Sequence, residues 1–187
     1  MTNAWDHISR EAAAKHFRYD FQASEERHKN IVEKFEIGEA SIKDYLNEAI
    51  FFRERDFSEK QFVEFMKSQS KAHPRSFETL EKLRSLNKYE ISVLNNESLE
   101  LNLYRIEKFK LRNYFTNFYS SCYLGVAKPN LEIYRKVLQI TQTPADRCLL
   151  IDDREKNVEA AAECGFQILH IPNVDELEKK LAEMKII

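Results

Sequence analysis

The amino-acid sequence predicts an α/β protein: a Rossmann-like parallel sheet with helices on both faces, preceded by an all-helical segment. Three observations carry this. Up to about residue 73 the apolar residues recur at helical spacing; beyond Pro74 short aliphatic runs alternate with helical stretches; and one such run, Cys148 to Ile151, stops at the acidic pair Asp152 and Asp153. Strands that read as continuous aliphatic runs rather than alternating ones are buried on both faces, as in a parallel sheet covered by helices.

In the first part, Trp5, Ile8, Ala12 and Phe17, then Ile31, Val32 and Phe35, then Ile42, Tyr45, Leu46 and Ala49 mark successive helical stripes. Phe62, Val63, Phe65 and Met66 continue them, with Ser58 and Gln61 spaced as a capping box ahead. Beyond Pro74 the pattern predicts a helix over about 76–86, a strand over 89–94 and a helix over 98–109. A weaker strand follows at 118–121, then a helix over 130–140 opened by Pro129, a residue suited to a first turn. The strand 148–151, a helix over 154–162 closed by Gly165, a strand over 166–171 and a helix over 174–184 complete the chain. The expected division is a helical unit over 1–75 and an α/β core over 76–187.

Composition narrows the function classes. With 29 Lys plus Arg against 31 Asp plus Glu, the formal net charge is -2 and no basic block is present, so neither nucleic acid nor an anionic membrane is expected as a partner. Apolar runs are far short of the ~20 residues that span a bilayer, and the polar N-terminus is unlike a signal peptide, so a cytoplasmic protein is expected. Cys122, Cys148 and Cys164 lack a CxxC spacing and read as buried free thiols. The five histidines are scattered with no HExxH, which argues against zinc. Three glycines, Gly38, Gly125 and Gly165, cannot build GxGxxG, a P-loop or the GxSxG elbow, so nucleotide-fold dehydrogenases, P-loop ATPases and serine hydrolases are excluded.

Three strand ends carry polar residues able to converge. The run ISVLNNES delivers Asn95 and Asn96, although asparagine is also a common turn residue and cap; GVAKPNLEIY sets Lys128 ahead of a helix, where it could neutralise a phosphate or lie solvated. LLIDDREKNVEAA is the most specific, because a carboxylate pair at the end of a buried strand must be solvated, paired or metal-bound. Phe51, Phe52 and Phe57 could line a pocket, but helix packing is the expected role.

In order and spacing, with 33 positions from Asn95 to Lys128 and 24 more to Asp152, these segments resemble motifs two, three and four of the haloacid dehalogenase-like hydrolase superfamily. The match covers about residues 76–171, and the helical part resembles the cap those enzymes insert early in the chain. The resemblance implies a Mg²⁺-dependent hydrolase, most members being phosphatases, acting on a small phosphorylated metabolite through an aspartyl-phosphate. It gives Asn95 the place of a phosphoryl-binding Ser or Thr, which an amide NH2 can fill as a donor, and Asn96 the second place in that motif. Lys128 takes the place of the lysine that offsets the charge of nucleophile and phosphate. Asp152 and Asp153 take that of the Mg²⁺-holding acids, and magnesium needs only one or two carboxylates beside phosphate and water.

The resemblance lacks motif one, an early strand ending in DxD whose first Asp attacks phosphorus. Asp6 and Glu11 follow no apolar strand, and Asp20, Asp44 and Asp56 lie within or between expected cap helices. Thr2, Asn3, Trp5 and Asp6 resemble the stretch directly behind motif one in one branch of the family, so the sequence is expected to begin a few residues late. In the family that strand lies between the strands expected here at 89–94 and 148–151. With parallel neighbours ~4.8 Å apart, its absence predicts a gap of roughly 9.6 Å, which the sheet closes or another segment or chain fills. The alternative is a non-catalytic binding or regulatory protein that retains the fold. A receiver-type signalling domain is heavily disfavoured by order, since there the acidic pair precedes the lysine, whereas here Asp152 follows Lys128.

Overall fold

Side-chain caps set where the N-terminal helices begin in the computed structural model of the protein, which describes residues 2, 3 and 5–187. Helix α1 (His7–Phe17) starts where the Asp6 carboxylate accepts from the Ser9 N–H, and α2 (Phe21–Glu36) where Asp20 accepts from Ala23. Capping boxes open α3 (Ile42–Ala49) with Ser41 and Asp44, and α4 (Glu59–Ser68) with Ser58 and Gln61 as expected. Their apolar stripes close on one cluster containing Trp5, Phe35, Tyr45, Leu46, Phe62 and Met66, joined by Leu101 from the second half of the chain. Phe51 and Phe57 pack against this cluster, whereas Phe52 lies under the Arg27 guanidinium at 4.2 Å.

Pro74 occupies the first turn of α5 (Pro74–Ser85). There follow β1 (Val93–Asn95), α6 (Leu99–Lys108), β2 (Phe118–Ser120), α7 (Ser121–Leu124) and α8 (Leu131–Thr141). Then come β3 (Leu149–Asp152), α9 (Glu155–Glu163), β4 (Gln167–His170) and α10 (Leu177–Glu183). The alternation is therefore as the sequence predicts, with two corrections. The first strand is later and shorter than 89–94: Tyr89 is 47% exposed, and the ladder starts only at Val93. Pro129 does not open α8, because the Asn130 side chain caps it by accepting from the Glu132 N–H, leaving the proline outside. The three cysteines are free but half-buried rather than buried.

The strands form two parallel pairs. β1 lies beside β2 with Leu94 opposite Tyr119, and β3 beside β4 with Ile151 opposite Leu169. β1 and β3 do not pair, so among the described residues the sheet is split where the two halves would meet. The helical N-terminal part meets the second half closely. Ser121 Oγ donates to the Glu36 carbonyl at the end of α2 (2.6 Å) and accepts from the Glu97 N–H (2.9 Å). Gly38, at φ +81°, comes so near that a Cβ there would stand 2.6 Å from the Cys122 carbonyl oxygen. No helix among the described residues is long and apolar enough to cross a membrane.

Candidate active site at the strand ends

A parallel strand leaves its last side chains at its carboxyl edge, and the ends of β1 and β3 both deliver polar residues there. At the end of β1, Asn95 Nδ2 donates to Asn102 Oδ1 (3.2 Å), and Asn102 Nδ2 donates on to Ser120 Oγ at the end of β2 (3.0 Å). The Asn95 Oδ1 is buried without a partner. Asn96 has a different task. Its Nδ2 donates to the Lys128 carbonyl and its Oδ1 accepts from the Lys128 N–H, each at 2.8 Å, so one amide clasps the backbone of the lysine.

That clasp aims the Lys128 ammonium across the split. Lys128 Nζ donates to the Leu94 carbonyl on β1 (2.7 Å) and to Asp152 Oδ2 on β3 (2.5 Å), with both side chains of the ion pair nearly buried. The other oxygen, Asp152 Oδ1, accepts from the Arg154 N–H and from Asn157 Nδ2, both at 2.9 Å. Burial pushes the Asp152 carboxyl up, but the Lys128 charge and these hydrogen bonds outweigh it and hold the group below the usual carboxylate range. Asp153 stands next to it with an exposed side chain.

Asn95, Asn96, Lys128, Asp152 and Asp153 are thus all at one edge, and direct hydrogen bonds join Asn96, Lys128 and Asp152. Sequence reasoning missed Asn157, which orients Asp152 from the first turn of α9, and the Asn102–Ser120 relay behind Asn95. It also missed Glu97 and Arg105, a buried ion pair just behind the end of β1. Only Asn157 had a signal, its first-turn position facing the strand end. From the helical part, Glu36 reaches toward the same edge: burial raises its carboxyl, and the charges of Arg154 and Arg10 partly oppose the rise.

Among the described residues no three His, Cys, Asp or Glu side chains group as a metal cage. The donors present still suit magnesium. Asp153 is an exposed carboxylate, and Asn157 Oδ1 is a buried oxygen without a partner beside Asp152, both hard ligands for an ion that keeps several waters. Asp152 itself is spoken for at both oxygens, which leaves Asp153 as the carboxylate with free lone pairs.

Comparison with known proteins identifies the fold and the family. A curated relative, the chloroplast flavin mononucleotide hydrolase 1 of Arabidopsis thaliana, is 33% identical over 137 residues, covering 73% of this chain and 55% of its own length. The chain therefore spans about half of that relative. Among solved structures, a HAD family enzyme of Bacteroides thetaiotaomicron in a magnesium complex superposes with a TM-score of 0.77 at 23% identity, covering 91% of this chain and 87% of that one. The same enzyme with magnesium and inorganic phosphate gives 0.76 at 23% identity over 91% and 88%. A predicted HAD-like hydrolase of Porphyromonas gingivalis gives 0.69 at 19% identity over 89% and 90%. These likenesses show a common fold, and the model of the haloacid dehalogenase-like hydrolases matches residues 1–165. With that match over most of its length, the chain belongs to the haloacid dehalogenase-like hydrolase family.

Proposed function

We propose that the strand ends form the phosphate pocket of a Mg²⁺-dependent phosphomonoester hydrolase, from which the attacking carboxylate is missing in these 187 residues. The observation that carries this is the Lys128 ammonium held between the Leu94 carbonyl on β1 and Asp152 on β3, at the strand ends that also carry Asn95 and Asp153. Asn95 donates an amide hydrogen to a phosphoryl oxygen and Lys128 offsets the phosphate charge. Asp153, beside Asp152, would hold the magnesium, which when bound supplies positive charge to the phosphoryl oxygens. Asn96 positions Lys128, and Asn157 positions Asp152.

Residues 1–75 serve as the cap, with Glu36 and Arg154 at its border with the pocket. The substrate class is a small phosphorylated metabolite, in keeping with the flavin mononucleotide named for the Arabidopsis relative. Without a nucleophile the chain alone binds phosphate but scarcely turns it over; a serine protease losing its nucleophile drops on the order of a million-fold. A phosphomonoester assay with and without Mg²⁺ tests this, and robust turnover by the 187-residue chain would refute it.

One observation favours a second reading, a non-catalytic binding protein. The acid paired with Lys128, Asp152, has both oxygens engaged, and the free acid beside it, Asp153, is the one left to hold magnesium, so neither is assigned to attack. That reading predicts phosphate binding that survives in any longer form of the chain without turnover.

A further inference from the structure

Two lysines from different halves of the chain converge on one aromatic ring. The Lys67 ammonium, from the last turn of α4, lies 5.3 Å from the centre of the Tyr104 ring, and the Lys108 ammonium, from the last turn of α6, lies 5.4 Å from the same point. Lys108 also stands 5.3 Å from the centre of the Phe109 ring and donates to the Ser70 carbonyl (2.8 Å), in the segment between α4 and α5. Beside it, Arg105 Nε donates to the Ser70 hydroxyl. Here α6 of the α/β half therefore grips the end of the helical part, and two like charges are gathered at the grip.

That charge is not neutralised within the fold. Lys71 follows Ser70, and Lys110 and Arg112 lie in the turn beyond α6, all three exposed. Among the described residues no carboxylate pairs with Lys67, Lys71, Lys108, Lys110 or Arg112. Glu64 on α4 and Glu107 on α6 are exposed and stay apart from them. Aromatic faces attract the two ammoniums but leave their net charge in place. The whole chain has a formal net charge of -2, so the positive density is local, and it is drawn from two separate segments, which is why no basic block marks it in the sequence.

The chemistry of the patch selects a partner. Tyr104 is engaged by two ammoniums and Phe109 by one, which leaves neither ring bare for a nucleic-acid base to stack on. Apart from Arg112 the cations are lysines, point charges without the fork that suits phosphate. We propose that this face docks an acidic peptide segment of a partner protein, whose carboxylates bridge Lys67 and Lys108 and so clamp the helical part to the α/β half. Charge complementarity supplies the selectivity. The inference is independent of the phosphatase reading, since the patch contains none of the strand-end residues.

The probe is hexaglutamate, acetylated and amidated at its ends, titrated into the ¹⁵N-labelled 187-residue chain at about 50 mM salt, where exposed charges are weakly screened. The expected result is saturable binding that slows amide hydrogen exchange over residues 69–72. Lys67→Gln is expected to weaken it at least threefold. The double variant Lys71→Glu with Lys110→Glu, at exposed positions, is expected to weaken it at least tenfold, and the same reversal at Lys43 and Lys60, exposed lysines elsewhere on the helical part, to change it less than twofold. Absence of binding at millimolar peptide overturns the proposal, as does equal weakening by both double variants, which means unspecific attraction. Binding that leaves exchange over 69–72 unchanged overturns the clamp. Tighter binding of a uridine hexamer or of phosphatidylserine vesicles overturns the peptide as occupant in favour of nucleic acid or membrane.

Discussion

Lys128 is the residue on which the pocket turns, because one ammonium neutralises a nearly buried acid on β3 and occupies a carbonyl on β1. Breaking a buried pair by removing one partner leaves the other charge uncompensated, which costs about 3–5 kcal/mol. Lys128→Met is therefore expected to lower stability in urea denaturation by that amount, and the double variant Lys128→Met with Asp152→Asn to recover most of it. A loss no greater than about 1 kcal/mol for the single variant would mean the pair is solvated. His28 gives a second residue-scale prediction. Its Nδ1 lies 3.0 Å from the Tyr45 hydroxyl, which also accepts from the Trp5 indole, so a neutral ring serves as acceptor there. Burial, aided by the Arg10 charge, lowers His28 to about 4. A histidine depressed below its unfolded value of about 6.5 binds its proton more readily when unfolded, so its contribution is present above pH 6.5 and is lost as pH falls toward 4. The thermal midpoint is expected to drop over that window, and to drop less in His28→Gln. Equal slopes in the two proteins would remove His28 from the cause. At this scale Lys128 and Asp152 were legible in the sequence as polar residues at strand ends. Asn102, Ser120 and the Glu97–Arg105 pair were not, since their roles arise from contacts between elements that no local pattern records.

The elements were more legible than their ends. Helical periodicity and the Ser58–Gln61 spacing located the N-terminal helices, because capping and apolar stripes are local properties. β1 was misplaced because its extent depends on where β2 supplies a partner, at Phe118 and beyond, not on the aliphatic content of residues 89–92. Gly38 was noted only for what glycine-rich loops it could not make. In the fold it lets the turn after α2 reach α7, at a backbone angle that side chains rarely adopt and with no room for a Cβ against Cys122. Gly38→Ala is expected to cost about 1–3 kcal/mol and to loosen the contact between the two halves. The check is chemical denaturation together with thiol modification of Cys122, whose thiol burial pushes up to about 11. Unchanged stability with unchanged Cys122 reactivity would show that the close approach does not hold in solution.

On the scale of the whole molecule, a helical part packs against an α/β half whose sheet is divided between β1 and β3, and the candidate site lies at the carboxyl ends of those strands. The fold class followed from alternation along the chain, whereas the persistence of the division could not, because sequence alone left open whether the sheet would close. The pocket combines an amide donor, a paired ammonium and an exposed acid. It therefore predicts binding of inorganic phosphate that depends on magnesium through Asp153, a residue whose exposure makes Asp153→Asn harmless to folding. The most direct measurement is calorimetric titration of phosphate into the 187-residue chain with and without Mg²⁺, repeated with Asp153→Asn. One phosphate site that tightens at least tenfold with Mg²⁺, and loses that gain in the variant, is the predicted result; no phosphate binding, or binding indifferent to both magnesium and Asp153, would contradict it.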